Sequence, residues 1–251
     1  MGFDPATLKR LFGYSHAFDH PVTTGAVVFI ALLLAAFGAL LPTLKKSKRV
    51  SEEMHAELHA RWKSWCWLVL LIVTPILLGA AWTIAAVTLL SLLCYREYAR
   101  VIGIFREPAV SVCAVAGILA LGFASLDHFD RLYFALGPIG VALIVVAALP
   151  TDRPSGYLQR TASGVFGYAL FGFSIGYLGL AANIGDLGNG ADYRPLLILI
   201  FGAVEMNDVF AFCCGKLMGG PKLLPNTSPG KTISGSAGAM VLTTLLVEFL
   251  G

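Results

Sequence analysis

The residues best suited to chemistry lie in one stretch, 205–235, which begins inside an apolar segment and ends in a loop rich in glycine and proline. Its polar members are Glu205, Asn207 and Asp208, followed by Lys216, Lys222 and Lys231. A carboxylate at membrane depth costs about 2.5–3.5 kcal/mol on insertion, so it marks a candidate functional site. Carboxylates bind divalent cations, whereas ammonium and backbone N–H groups bind phosphate oxygens. The stretch therefore predicts a site for a polyphosphate carried with a divalent cation.

The order of residues in this stretch resembles the phosphatidate cytidylyltransferase (CDP-diacylglycerol synthase) family. The matching residues are Asn207-Asp208, Ala211-Phe212, Gly215-Lys216-Leu217, Gly219, Lys222-Leu223, Pro225, Ser228-Pro229, Lys231-Thr232 and Gly235. A string with this many fixed positions is far more specific than a short glycine motif. The sequence departs from the family pattern at Val209-Phe210, where Ser/Thr-Gly is usual, and at Ser234, where Glu or Gln is frequent.

The resemblance implies a nucleotidyltransferase that moves CMP from CTP to phosphatidate, giving CDP-diacylglycerol and pyrophosphate in phospholipid biosynthesis. It implies that Asp208 and Lys231 are catalytic and that Asp208 holds Mg²⁺, with Asn207 as a further candidate ligand. Glu205 lies outside the matching string and is a candidate metal ligand, with a pairing to Arg194 or to a polar neighbour as the alternative. The implied substrate-binding residues, which would contact phosphates or allow close backbone approach, are Asn207, Lys216, Lys222, Ser228, Thr232 and Gly219.

Two other hypotheses stay open at this point. One is an ion-coupled transporter or lipid-binding membrane protein in which a buried Glu205/Asp208 pair handles ions, although no internal repeat supports it. The other is a truncated or catalytically incomplete relative, because the family continues into a second aspartate signature that residues 236–251 do not contain. Taken singly, the three lysines could also be ordinary positive residues of a cytoplasmic loop.

Composition places the chain in a membrane. It is 57% hydrophobic and 13% charged, with a mean hydropathy of +0.77. Soluble domains are roughly 45–50% apolar and about 25% charged, so we expect an all-α integral membrane protein. The net charge of +3 is too small to indicate a nucleic-acid partner.

The apolar segments predict a polytopic helical bundle of seven or eight transmembrane helices in a single domain, 1–251. The predicted spans are 22–41, 64–94, 108–126, 132–149, 161–182, 195–214 and 235–250. Residues 1–21 form an interfacial lead-in, and Pro42 ends the first span before a charged cytoplasmic juxtamembrane helix, 42–63. Segment 64–94 would make a helix of about 46 Å, longer than the ~30 Å hydrocarbon core. We interpret it as a hairpin of two short spans broken near Pro75 and Gly79, with one tilted helix as the alternative.

The loop charges predict the orientation. Lys/Arg-rich loops stay in the cytoplasm, so the basic loops 42–63 and 215–234 lie there and the acidic turns 127–131 and 183–194 lie outside. This parity requires segment 64–94 to cross twice, which gives eight spans and an external N-terminus. We expect a multi-pass protein of the cell inner membrane whose active-site loop faces the cytoplasm. A G-x-x-x-G pattern in span 161–182 predicts close helix packing within the chain, with a homodimer as the alternative.

Overall fold

A computed structural model describes residues 11–46, 52–151, 154–184 and 192–250, and most of these are helical. The chain forms two compact units that divide between Arg194 and Pro195. The first part of the predicted lead-in, the middle of the basic loop 42–63, most of the acidic turn 183–194 and the last residue lie outside the described residues. The prediction of a single domain stays a prediction.

The described elements are named in chain order. The helices are α1 Pro21–Lys46, α2 Glu52–Leu78, α3 Ala80–Ile102, α4 Pro108–Leu126, α5 Asp130–Ala147, α6 Tyr157–Ala181, α7 Tyr193–Met218 and α8 Ile233–Leu250. Two short strands, β1 Lys222–Leu224 and β2 Ser228–Thr232, lie between α7 and α8, and short 3-10 turns occupy Tyr14–His16, Ile104–Arg106 and Leu149–Thr151.

Six of the described helices are long and apolar enough to cross a membrane: α1, α2, α4, α5, α6 and α7. Helix α8 is apolar but shorter, with its apolar part at Ile233–Phe249. Counting α8 gives seven spans, and counting α3 as well gives eight. The prediction of an all-α polytopic membrane protein is confirmed.

Helices α1 and α2 pack as antiparallel neighbours around Trp62. The Trp62 Nε1 donates a hydrogen bond to the Leu34 carbonyl oxygen at 2.9 Å, and a Cβ built on Gly38 would lie 2.9 Å from the Trp62 ring. Near the end of α1 and the start of α2, the His55 Nε2 of α2 lies 3.1 Å from the Leu41 carbonyl oxygen of α1. A side chain at position 38 would therefore push these two helices apart.

Two predictions for this region are wrong. Pro42 does not end the first helix, because it lies inside α1, which continues to Lys46. The juxtamembrane segment is not a separate helix either, since α2 runs unbroken from Glu52 into the apolar region. Its first turn carries Glu52 and Glu53, which favour a helix N-terminus, and no glycine or proline interrupts it before Pro75.

The predicted break in segment 64–94 is confirmed at Gly79, which separates α2 from α3 with a φ of 131°. A Cβ at Gly79 would lie 2.5 Å from the Leu11 carbonyl oxygen, so the N-terminal segment occupies the space beside the break. Pro75 stays inside α2, and the Thr83 hydroxyl donates to its carbonyl oxygen at 3.1 Å. The predicted short arms are wrong, because α2 has 27 residues and α3 has 23.

Buried tyrosines hold α4, α5 and α6 together in the first unit. Tyr168 of α6 fits against two glycines, Gly117 of α4 and Gly140 of α5, and its hydroxyl donates to the Leu136 carbonyl oxygen at 2.8 Å. Tyr133 donates in the same way to the Phe173 carbonyl oxygen at 2.6 Å. That carbonyl belongs to a π-helical turn, Tyr168–Ser174, within α6. Each phenol therefore satisfies its hydrogen bond inside a packed apolar interior.

The predicted G-x-x-x-G packing within the chain is confirmed. A Cβ built on Gly172 would lie 2.9 Å from the side chain of Ile118, and one on Gly176 would lie 2.9 Å from the Tyr133 hydroxyl. Both glycines therefore let α6 approach neighbours in its own unit. The homodimer stays a prediction.

An arginine at the end of the first unit holds the N-terminal segment. Arg194 is buried, and its Nη2 donates to the Gly13 carbonyl oxygen at 2.8 Å while Nη1 lies 3.4 Å from the His16 carbonyl oxygen. Asp192 forms an ion pair with the same guanidinium at 3.2 Å. This segment is thus packed on the first unit, whereas the predicted membrane-interface position of 1–21 stays a prediction.

Candidate active site

The candidate site lies in the second unit, Pro195–Gly251, and begins on α7. With 3.6 residues per turn, Glu205, Asp208, Phe212 and Lys216 fall on one side of this helix, and all four are exposed. The Lys216 Nζ lies 4.7 Å from the centre of the Phe212 ring, a cation–π contact that holds the ammonium group on this face. We call these four residues the α7 stripe. It carries carboxylates at one end and a cation at the end nearest the loop.

The two carboxylates of the stripe have no partner in the part of the chain that the structure describes. Within the first unit, Arg194 forms an ion pair with Asp192 and donates to backbone carbonyl oxygens, and the alternative pairing of Glu205 stays a prediction. Side chains three residues apart on a helix have Cβ atoms about 5–6 Å from each other. Glu205 and Asp208 can therefore act on one ligand.

This pair of carboxylates fits a magnesium ion. Mg²⁺ prefers oxygen ligands and is usually held by one or two carboxylates together with substrate phosphates and water. Within the described ranges, no group of three or more His, Cys, Asp or Glu side chains could hold a metal. The described protein residues would thus supply two ligands, and phosphates and water would supply the others.

The loop that follows α7 is closed at its base by residues 219–221 and 233–234, which we call the neck. Two of these residues are glycines. Gly219 and Gly220 have φ values of 59° and 106°, in the left-handed region that favours glycine, and the Gly219 N–H donates to the Gly215 carbonyl oxygen at 3.1 Å. On the other side of the neck, the Ser234 hydroxyl donates to the Gly219 carbonyl oxygen. The Ile233 N–H donates to the Pro221 carbonyl oxygen at 3.1 Å. These bonds close the loop at its base.

The loop itself is a β-hairpin, which the sequence did not predict. Strands β1 and β2 are antiparallel, with Lys222 opposite Thr232 and Leu224 opposite Ser228. Three residues, 229–231, therefore face Leu223 alone, and Lys231 belongs to this bulge. Bulges re-aim side chains and are frequent beside active sites. Both hairpin lysines, at 222 and 231, are exposed.

The predicted substrate-binding residues of the loop differ in their surroundings. Thr232 caps α8, since its Oγ1 accepts a hydrogen bond from the Gly235 N–H at 3.1 Å, and Ser234 Oγ lies 3.2 Å from the same atom. Gly219 has open space where a Cβ would stand, which leaves its backbone open to a ligand. Ser228 is half-buried at the start of β2. Because the single hydroxyl hydrogen of Ser234 goes to the Gly219 carbonyl oxygen, the contact between Ser234 and Thr232 takes the hydroxyl hydrogen of Thr232, and both hydroxyls are bonded within the protein.

Helices α7 and α8 cross with their backbones in contact. A Cβ on Gly235 would lie 2.6 Å from the Ala211 carbonyl oxygen and 3.1 Å from the Gly215 Cα. Eight residues further along α8, the Thr243 hydroxyl donates to the Asn207 Oδ1 at 3.1 Å. Small residues and an interhelical hydrogen bond are typical of helix pairs in membranes. The crossing fixes how the α7 stripe stands relative to the hairpin.

The predicted site residues all lie within the second unit, and their roles stay predictions. Asp208, Glu205 and Lys216 lie on the α7 stripe, Asn207 faces α8, and the other predicted residues lie in the neck or hairpin. Two contacts were missed: the Ser234 bond that closes the neck and the Thr243 bond to Asn207. The T-I-S-G segment ahead of an apolar run is a signal that could have revealed the cap.

Comparison with known proteins agrees with this site. A sequence profile of the cytidylyltransferase family matches residues 59–251, which include the α7 stripe, the neck and the hairpin. Uncharacterized protein YnbB of Escherichia coli (strain K12) is 23% identical to this chain over 206 residues, covering 81% of this chain and 67% of YnbB. No solved structure matches. The profile covers most of the sequence, so the chain belongs to the cytidylyltransferase family.

Proposed function

We propose that this chain transfers CMP from CTP to phosphatidate, producing CDP-diacylglycerol and pyrophosphate. The observation that supports it best is the arrangement of charges in the second unit. Two exposed carboxylates without described partners stand on α7, and three lysines follow at the end of α7 and in the hairpin. Family membership supports the nucleotide, and the motif resemblance supports the lipid acceptor.

The reaction needs charge neutralisation and alignment more than it needs a new nucleophile. An oxygen of the lipid phosphate attacks the α-phosphorus of CTP, and the bond from that phosphorus to the oxygen bridging to the β-phosphate breaks, so pyrophosphate leaves. Both reactants are anions and repel each other. Positioned cations that pair with phosphate oxygens lower this repulsion and hold the groups in line.

The residues of the site supply these functions in order along the chain. Asp208 and Glu205 would hold Mg²⁺, which, when bound, neutralises charge on phosphate oxygens. Lys216, steadied by its contact with Phe212, would bind phosphate at the end of the α7 stripe. Lys222 and Lys231 would bind phosphates from the hairpin, in which Lys231 belongs to the bulge. The open backbone at Gly219 leaves room for close approach of the triphosphate.

The proposed location follows from the substrates. CTP is a cytosolic anion and phosphatidate a bilayer lipid, so the hairpin would face the cytoplasm from a multi-pass protein of the inner membrane. The basic residues of the 215–234 loop suit that side.

The experiment uses purified protein in mixed lipid–detergent micelles with CTP labelled at its α-phosphate. Label should enter a chloroform-soluble product when phosphatidate and Mg²⁺ are present. It should not do so with diacylglycerol, which lacks the attacking phosphate, or with EDTA, and ATP should replace CTP poorly. Absence of transfer to phosphatidate, or equal transfer from ATP, would refute the proposal for this 251-residue chain.

A substitution tests the role of the α7 stripe. Asp208→Asn keeps the shape of the side chain but removes its charge, and losing one electrostatic contact in a transition state typically costs about 10²–10³ in rate. Glu248→Gln is the matched control, because Glu248 is an exposed carboxylate on α8 in the same unit. We expect the first variant to be nearly inactive and the second to be fully active. Normal turnover by Asp208→Asn would contradict the mechanism.

A further inference from the structure

We propose that Thr243 is a positioning residue for the nucleotide. Its hydroxyl holds the Asn207 amide so that the amide nitrogen is left to donate to a phosphate oxygen of CTP. The inference rests on the proposed function and deepens it, because it states what Asn207 binds and which residue of α8 prepares it.

The geometry defines the direction of the bond. Thr243 Oγ1 and Asn207 Oδ1 are 3.1 Å apart, and both residues are half-buried between α7 and α8. A carbonyl oxygen has no hydrogen, so the threonine hydroxyl must be the donor. The residues are 36 positions apart in the sequence. The bond therefore ties the helix that carries Asp208 to a helix beyond the hairpin.

The chemical consequence concerns the rest of the amide. Once Oδ1 accepts from Thr243, the two hydrogens of Nδ2 remain, and within the described part of the chain they have no recorded acceptor. Hydrogen-bond donors suit an anion, whereas a cation needs oxygen lone pairs. Asn207 is therefore suited to a phosphate oxygen, whereas the carboxylate of Asp208 would hold the metal.

The next residue of α8 provides a natural control. Thr244 Oγ1 donates to the Met240 carbonyl oxygen of its own helix at 2.8 Å, and the side chain is exposed. Two adjacent threonines thus differ in one respect that matters here: Thr243 bonds across to α7, whereas Thr244 bonds back to α8. Valine has nearly the same shape as threonine and lacks the hydroxyl, so Thr→Val isolates the hydrogen bond at either position.

The first measurement is isothermal titration of magnesium–CTP into the full chain in detergent. A hydrogen bond contributes about 0.5–1.5 kcal/mol, so Thr243→Val should weaken CTP binding about 2- to 10-fold. Thr243→Ser keeps the hydroxyl and should stay within about twofold of wild type, as should Thr244→Val. If Thr243→Val binds CTP as tightly as Thr244→Val, the inference is refuted.

A double-mutant cycle separates positioning from general support of the fold. Asn207→Ala should weaken CTP binding at least as much as Thr243→Val does. In the Asn207→Ala background, Thr243→Val should cause no further loss, because its effect passes through the amide. Equal, additive losses in both backgrounds would show that Thr243 acts through packing alone and would refute the inference.

Further variants distinguish a phosphate donor from a metal ligand at position 207. Asn207→Asp replaces the amide donors with a negative charge, so it should weaken CTP binding, and high Mg²⁺ should not restore the affinity. If the variant instead bound both Mg²⁺ alone and CTP more tightly, position 207 would be a metal ligand. That result would refute the inference. If Thr243→Val does not fold, Thr243→Ala and Asn207→Ala are measured instead. Wild-type affinity for CTP in either of these variants would refute the inference. A wild-type chain that binds no CTP would refute the proposed function itself.

Discussion

Gly235 is the position at which a single methyl group should disturb the site most directly. It lies at the crossing of α7 and α8, and a Cβ there would stand 2.6 Å from the Ala211 carbonyl oxygen and 3.1 Å from the Gly215 Cα. Favourable contacts between heavy atoms are about 3.5–4.0 Å. Both neighbours are backbone atoms, so no side-chain rotation can relieve the overlap. In Gly235→Ala the two helices must move apart.

The expected loss of stability follows from two opposing effects. Overpacking typically costs about 1–3 kcal/mol. Alanine improves on glycine in a helix by at most about 1 kcal/mol, which offsets part of that cost. The net loss should be about 0.5–2 kcal/mol, or about 1–8 °C in Tm for a chain of this size. Transferase activity should fall further, because separating the helices also strains the Thr232 cap and the Thr243 bond to Asn207.

Thermal unfolding in detergent and the CMP-transfer assay would measure both effects. Gly202→Ala is the control, since Gly202 lies on the same helix α7 and a Cβ there would meet nothing within 4 Å. The control should be as stable as wild type or slightly more stable, with full activity. If the Tm of Gly235→Ala equals or exceeds the Tm of Gly202→Ala, the close backbone contact between α7 and α8 is refuted.

Three further predictions concern the loop and the orientation of the chain in the membrane. Lys231→Ala should lower kcat/KM for CTP by about 10²-fold and Lys231→Arg should recover little, because the two cations differ in shape; equal loss in the exposed control Lys63→Ala would contradict this. Ser234→Ala should raise tryptic cleavage in the hairpin about 2- to 10-fold by removing a neck bond, and unchanged cleavage would argue against that bond. In a cysteine-free variant, single cysteines at 45 and 226 should react with an impermeant maleimide only after permeabilisation, and labelling of intact cells would reverse the proposed orientation.

Features that depend on local hydropathy could be predicted from the sequence. From residue 108 onward the apolar runs gave the spans within about four residues at each end. A break near Pro75 and Gly79 was expected from the length of segment 64–94 and from the parity of the loop charges. The position of that break has a cause the sequence does not show, because the backbone of Leu11 fills the place of a Cβ. Pro75, an equally plausible breaker, remains inside α2, where Thr83 bonds to its carbonyl oxygen.

Features that depend on contacts could not be predicted. The charged segment after Glu52 reads as a separate surface helix, yet nothing in it stops a helix, and Trp62 ties it to α1. The hairpin was missed because its strands have three and five residues, too few for alternation to stand out.

The site shows the same limit. Family resemblance singled out Asn207 and Thr232, but their bonds to Thr243 and Gly235 depend on where α8 begins and how it crosses α7. A motif gives the order of residues along the chain. It does not give the partner of a side chain on another helix, so it does not indicate Thr243 as the partner of Asn207.

The bond from Arg194 to the Gly13 carbonyl has a consequence for the timing of synthesis. Its two residues are 181 positions apart, so the N-terminal segment is made long before its partner exists. At about 5–20 residues per second, a ribosome needs about 10–40 s to cover that interval. The backbone of Leu11 can reach Gly79 earlier, but the Gly13 carbonyl oxygen must wait for Arg194. We expect this segment to be the last part of the first unit to dock during biogenesis.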